Sequence, residues 1–359
     1  MGKDTLQENL TYEEQCQKNT CHKCGQVNAD TSQCKHSILC NTCREEQINY
    51  PIPKIFIVLA IGLIILVGIS LLKFPKVFNN YKKYYTAERN VKNGEINITL
   101  ENLKNVIEEY PDSTDVAVKS AKIAMENGKY NYAGYIIDTY LSGKEVDNST
   151  YTLITKYTKY LDSYYKTYDA FGNIVSNLDE NVSQNEANEL ISNNLKSLLN
   201  DKSQNRSLIY YYLGFTSNDN NVAKEYLSKS IQEDNNITDS KIQLANILRR
   251  EKDYNSAREN FNTVLNKEND NAGALRGLAI VEMLEGNKEE GVSLAKKAYD
   301  ANPQETYVLE TLIIALTENG QGDEAEKYKE EYSSNGDGFD DDIMKFLDGN
   351  ITIDDYYLG

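Results

Sequence analysis

All six cysteines of this chain fall between Cys16 and Cys43, and both histidines, His22 and His36, fall in the same window. Residues 44–359 hold neither type. A disulfide-rich secreted fold would scatter cysteines through its body. This distribution instead predicts one small metal module joined to a large body that needs no thiols. Its core is two Cys-X2-Cys pairs, Cys21/Cys24 and Cys40/Cys43, separated by 15 residues. Each pair aims two thiolates at one point, and two such turns complete a tetrahedron around Zn2+ with bonds of about 2.3 Å. Gly25, directly after the first pair, permits the positive-φ turn such loops often need. A four-cysteine shell is closed to water and substrate, so the expected zinc is structural, not hydrolytic. A redox Cys-X2-Cys would need a βαβ context, for which there is no room here. Haem attachment would need His after the pair, where Gly25 and Arg44 stand.

Cys34 and His36 extend the order to C-x2-C-x9-C-x-H-x3-C-x2-C, which resembles the first six ligands of a RING-type cross-brace. That resemblance implies a first zinc on Cys21, Cys24, Cys40 and Cys43. It implies a second on Cys34, His36 and a further Cys-X2-Cys, and none follows Cys43. Two readings stay open: a single zinc-ribbon-like site, or a degenerate cross-brace in which Cys34 and His36 hold a second metal. Cys16 and His22 are read as spectators.

The module must be attached to something. Residues 55–72, IFIVLAIGLIILVGISLL, carry no charge and are bracketed by Lys54 and Lys73. As a helix they span about 27 Å, enough for a hydrocarbon core of about 30 Å once the lysines snorkel. The run starts too far from Met1 for a cleaved signal peptide, and no small-X-small site follows it. Three regions are therefore expected. Residues 1–53 form the Cys/His module and a stiff linker, and 54–74 a membrane anchor closed by Pro75. Residues 76–359 form a large body.

Within the body, Ala223, Ala257, Gly291 and Ala325 recur every 34 residues, and Ala133 holds the same place upstream. Gly94, Gly128, Gly286 and Gly320 mark a second recurrent place, and Pro111 and Pro303 a third. Ala87, Ala121, Ala245 and Ala279 mark a fourth. This pattern resembles the tetratricopeptide repeat. The resemblance implies antiparallel helix pairs that meet at small residues, turn at Gly and stack into a right-handed superhelix with a concave face. The copies are framed at 80–113, 114–147, 204–237, 238–271, 272–305 and 306–339. Residues 148–203 break the phase and read as an elongated helical hairpin, with Leu153, Ile154, Tyr157, Tyr160, Leu161, Tyr164 and Tyr168 at helical spacing. Residues 340–359 read as an acidic cap. A calcium loop at Asn335-Gly336-Asp337-Gly338 fails because Phe339 and Asp340 occupy a ligand place and the turn-glycine place. The expected class is all-α: a tetratricopeptide-like helical-hairpin solenoid plus one transmembrane helix and a small zinc module.

Function classes narrow accordingly. Acidic residues outnumber basic ones 55 to 38, a formal charge of -17, which argues against a nucleic-acid surface. No GxxxxGK[ST], HExxH or GxGxxG is present, and a body without Cys or His lacks the commonest catalytic base. The expected protein is no enzyme and takes no small-molecule substrate. It is a membrane-embedded scaffold binding a protein or peptide through its repeats. A transmembrane regulator or sensor, and a membrane-bound RING-like ubiquitin ligase, are the alternatives. One repeat subclass clamps carboxylates with Lys and Asn early in the first helix. Here those places hold Tyr84/Glu88, Val118/Lys122, Leu208/Tyr212, Ile242/Asn246, Arg276/Ile280 and Glu310/Ile314, and no copy has the pair. Asn246, Arg249, Arg250 and Arg276 form the candidate partner-binding patch. Topology is argued both ways. Lys73, Lys76, Lys82 and Lys83 outweigh Arg44 and Lys54, which favours a cytoplasmic body. Reduced thiols favour a cytoplasmic module, and long domains translocate largely regardless of charge. The thiol argument is weighted more: zinc module cytoplasmic, repeat body extracytoplasmic.

Overall fold

The computed structural model describes residues 20–21, 23–26, 39–48, 52–179, 181–334 and 339–358. Cys16, His22, Cys34, His36 and residues 335–338 lie outside them. The chain divides into two units, Met1–Val77 and Phe78–Gly359.

The first unit contains α1 (Asn41–Ile48) and the start of α2 (Lys54–Lys92). The apolar residues of α2 are exposed side chain by side chain, as lipid-facing residues would be and core residues would not. Among the described residues this is the one helix long and apolar enough to cross a membrane. The expectation that Pro75 ends it is corrected: the helix continues through Pro75 to Lys92. Proline removes its own bond to the carbonyl four residues back and crowds that carbonyl with its ring, a local defect of about 3 kcal/mol. Beyond it, Asn80 and Ala87 are buried in the second unit, and that packing holds the helix past the defect.

The second unit is an all-α, tetratricopeptide-like solenoid of helical hairpins. The last turns of α2 pair with α3 (Ile96–Glu109). Next come α4 (Thr114–Glu126) and α5 (Tyr130–Ile136), the latter running into a π-helical turn, Ile137–Leu141. A long pair follows, α6 (Asn148–Ser176) and α7 (Gln184–Leu198). Four more hairpin elements open with α8 (Arg206–Phe215), α9 (Asn220–Glu233), α10 (Thr238–Arg250) and α11 (Tyr254–Leu265). They finish with α12 (Ala272–Leu284), α13 (Lys288–Ala301), α14 (Thr306–Glu318) and α15 (Gly322–Ser334). Short α16 (Asp341–Leu347) and α17 (Ile353–Leu358) close the chain.

Local chemistry sets these boundaries. Asp147, Asn205, Asp219, Asp253, Asn271 and Asp340 each accept from backbone N–H groups of the first turn they precede, meeting donors the helix leaves open. Gly94, Gly128, Gly286 and Gly320 adopt φ of 81°, 73°, 86° and 74° at the turn inside a hairpin. In the copy 238–271 that place holds Lys252, with φ 63°, so this turn forms against the residue's own preference. The small residues lie where hairpin helices touch. Ala87, Ala121, Ala245 and Ala279 are at most 1% exposed. A Cβ on Gly291 would stand 2.5 Å from Met283 Cγ and 3.3 Å from the Ala279 carbonyl. In the long pair, Tyr157 and Leu161 are buried and Tyr164 packs on the same core, while Tyr168 at the end of the stripe is exposed.

The solenoid also closes on itself. Asn269 N–H donates to the Gly94 carbonyl at 2.9 Å. The Asn97 amide donates to Glu268 at 2.8 Å and to Asp270 at 3.0 Å. Lys129 pairs with Glu268 at 2.6 Å, and a Cβ on Gly128 would overlap the Asn236 carbonyl oxygen. The inner turns of the first two hairpins thus meet the loops after α9 and α11. Curvature is fixed by these contacts as well as by neighbour-to-neighbour stacking.

Candidate metal centre and inner groove

The metal candidates form a compact knuckle. Gly25 N–H donates to the Cys21 carbonyl at 2.8 Å and Cys21 N–H to the Gln26 carbonyl at 2.9 Å. Gly25 takes φ 73° to close this turn. On the other side Cys40 immediately precedes α1, and its carbonyl accepts from Arg44 N–H at 2.9 Å. The Sγ atoms of Cys21, Cys24, Cys40 and Cys43 all lie within 4.8 Å of one another. Cys24 and Cys40 Sγ stand 3.8 Å apart, far beyond a disulfide bond of about 2.05 Å. It matches the edge of about 3.8 Å that four sulfurs at 2.3 Å from a common centre would have. Cys21 and Cys43 are buried with Leu39.

Their electrostatics fit a dication. Burial opposes the Cys21 thiolate, but backbone N–H groups of Cys40, Cys24 and Lys23 hold its pKa down at about 6. Cys43 is pushed up to about 12, chiefly by its hydrogen bond with Cys40 and by burial. Four thiolates this close cannot all ionise without a compensating charge. Lys23 bridges to Glu46 at 2.8 Å, tying the first knuckle to α1.

The second candidate site lies in the body. The places Tyr84, Glu88, Val118 and Lys122 line one open cleft of about 630 Å³ together with Asp115 and Lys119. Lys119 Nζ donates to the Tyr84 carbonyl at 3.1 Å and lies 4.2 Å from the centre of its ring.

At the other end of the array α16 packs on α14, and α17 turns back across α10 and α12. Thr352 and Asp355 cap α17 reciprocally. Tyr357 is buried, and its hydroxyl donates to Thr311 Oγ1 at 3.3 Å. Arg276 Nε donates to the same Thr311 oxygen at 2.8 Å, with its guanidinium 5.0 Å from the Tyr307 ring. Arg249 lies under the Tyr357 ring at 5.5 Å, and its Nη1 donates to the Tyr357 carbonyl at 3.3 Å.

Of the four predicted groove residues, then, Arg249 and Arg276 converge on one tyrosine. Arg249 is only 5% exposed, so its guanidinium is buried in the groove and not solvated. Burial, with Arg276 nearby, pulls its guanidinium down to about 10. Asn246 is half-buried with an unpartnered Oδ1, and Arg250 is exposed. Sequence reasoning missed Tyr357 and Thr311. The available signal was a Tyr-Tyr-Leu segment closing an acidic stretch, in a chain with two arginines on successive inner helices.

No family model matches the chain, and no curated protein does. Among solved structures, MamA is similar over 42% of this chain and 88% of its own, at 19% identity and TM-score 0.35. YrrB, described as a TPR protein with an unusual peptide-binding site, is similar over 58% of this chain and 95% of its own, at 16% identity and TM-score 0.32. Yeast Tom70 is similar over 71% of this chain and 62% of its own, at 14% identity and TM-score 0.34.

Proposed function

We propose that this protein is a membrane-anchored, non-enzymatic scaffold whose tetratricopeptide-like array binds a protein or peptide partner. A structural zinc on Cys21, Cys24, Cys40 and Cys43 would stabilise the small module across the bilayer. The observation that carries the reading is an inner face that already holds a short piece of polypeptide, residues 351–358 with the helical turn α17, through side chains of three successive inner helices. A pull-down with the purified full chain in detergent tests it. A partner recovered by the whole chain and lost when the array is removed supports it. Recovery through residues 1–50 alone would overturn it.

The continuity of α2 from the apolar segment into the first hairpin favours a second reading, a transmembrane regulator that couples module to array. Deleting residues 1–50 separates the two, because a scaffold keeps its partner and a regulator loses its response.

Two further outcomes follow. Metal analysis after reducing purification should find one zinc per chain, and Cys40→Ser should abolish it. Zinc retention should fall with acid, since protons compete for the thiolates. Two zincs per chain would revive the cross-brace, and none would remove the metal. For topology, the thiol argument puts the module in the cytoplasm and the body outside. Protease added to intact cells should then degrade residues 76–359 and spare the module. Protection of the body, with Cys21 open to an impermeant thiol reagent, would reverse the assignment.

A further inference from the structure

The groove between α10, α12 and α14 carries charge that its present occupant does not answer. Arg249 is buried, yet its Nε has no hydrogen-bond partner among the described residues. Among the described residues its guanidinium donates to a neutral carbonyl, that of Tyr357. No carboxylate pairs with Arg249 or Arg276 among the described residues, although the chain is rich in acids. The acids of α17 itself are engaged elsewhere: Asp354 lies 3.6 Å from Lys252, and Asp355 caps the helix at Thr352. Asn246 Oδ1, on the same helix as Arg249, is likewise buried and unpartnered. A buried guanidinium is costly unless a charge and matching acceptors meet it. Residues 351–358 therefore supply the aromatic half of a ligand, and none of their carboxylates meets Arg249 or Arg276.

We propose that this groove is a docking site for a peptide presenting a carboxylate directly after the tyrosine it inserts. Residues 351–358 are its resident, weaker occupant, displaced when such a peptide arrives. The tyrosine takes the place of Tyr357 against Thr311, and the carboxylate meets the Arg249–Arg276 pair. A carboxylate offers the guanidinium an opposite charge and two acceptors in bidentate geometry, where the Tyr357 carbonyl offers one neutral acceptor. The proposal rests on reading the array as a peptide scaffold and adds the chemistry of its ligand.

The test uses the full chain in detergent and a chain ending after Asn350, which keeps α16. Two fluorescein-labelled amidated probes are titrated by anisotropy: Ile-Asp-Asp-Tyr-Tyr-Leu, the tail's own sequence, and Ile-Asp-Asp-Tyr-Tyr-Glu. The shortened chain should bind the first probe about tenfold more tightly than the full chain does. The Glu probe should gain about a further tenfold, and Arg249→Met should weaken both probes and erase the difference between them. Equal binding by both chain lengths, or no binding by a shortened chain with intact helical circular dichroism, overturns the proposal. If the shortened chain does not fold, full-length Tyr357→Ala gives the same exposure. Failure of both to fold makes the tail part of the core and also overturns it. A partner held by the array but not competed by either probe refutes this site and leaves the scaffold reading standing.

Discussion

Replacing Lys129 by Met should cost about 3 kcal/mol of stability, the low end of the range for breaking a buried ion pair. Glu268 is the buried partner, with its side chain 8% exposed against 28% for Lys129, so removing the lysine strands a carboxylate. The pH dependence has a definite sign. Burial alone would raise the Glu268 pKa, but Lys129 and the Asn97 and Asn271 amides hold it below the ordinary carboxylate value. A lowered folded pKa contributes stability that is full above the unfolded value, about 4.3, and is lost as pH falls through the folded value. Asp239 works the other way. It is solvent-accessible, yet the protein atoms crowded around it desolvate it and its pKa is raised despite Lys129. Its unfavourable ionisation is relieved as pH falls. Of the other charges nearby, Lys267 is engaged with Asn236 and Asp270 with Asn97. The gap between native and variant denaturation midpoints should therefore be full at neutral pH and narrow below about pH 4. A gap that does not change with pH would remove Glu268 as its source. Because the pair joins loops that are 139 residues apart in sequence, its loss should also speed hydrogen exchange at Asn269 N–H, which bonds across the same seam.

That seam shows where sequence reading stops. The 34-residue period reports what each hairpin needs from its neighbour: a small residue at a helix contact and a residue able to take positive φ at the turn. Those demands are local, so the all-α class and the solenoid were legible from Ala245, Ala279, Gly286 and their equivalents. Closure is not local. Whether Gly128 meets Asn236 depends on curvature accumulated over every hairpin between them, including the long α6–α7 pair that has no repeat pattern to read. The Cys-X2-Cys spacing likewise showed four sulfurs that could converge, and the structure brings them together. The sequence marks Arg249 as a candidate partner-binding residue, but nothing in its own helix says that Tyr357 returns over it from 108 positions away. Pro75 misled for a related reason: its local preference to end a helix is overridden by the burial of Asn80 and Ala87 downstream.

Phe261 and Gly277 should behave as one unit, with a change of sign that neither residue predicts alone. The Phe261 ring is fully buried on α11. It lies against the backbone of α12 at Gly277, where an added Cβ would overlap ring atoms. A glycine inside a helix costs about 1 kcal/mol relative to alanine, and here that cost is what lets the ring approach. Phe261→Ala should lose about 3–5 kcal/mol, through lost burial and the cavity left behind. Gly277→Ala in the native background should destabilise by about 1–3 kcal/mol, because a rigid ring in a packed core has nowhere to move. In the Phe261→Ala background the same substitution should instead stabilise by about 1 kcal/mol, since the propensity gain remains and the clash is gone. Denaturant melts of the four chains give the coupling directly. Additive effects would mean that the ring and the helix backbone do not share this contact. The consequence reaches the groove, because Arg276 is the residue before Gly277. A methyl group that pushes α12 away from α11 also moves Arg276 relative to Thr311 and Tyr357. Gly277→Ala should therefore weaken the hold on residues 351–358 in the native background, read as faster hydrogen exchange in α17, and leave it unchanged once Phe261 has been truncated.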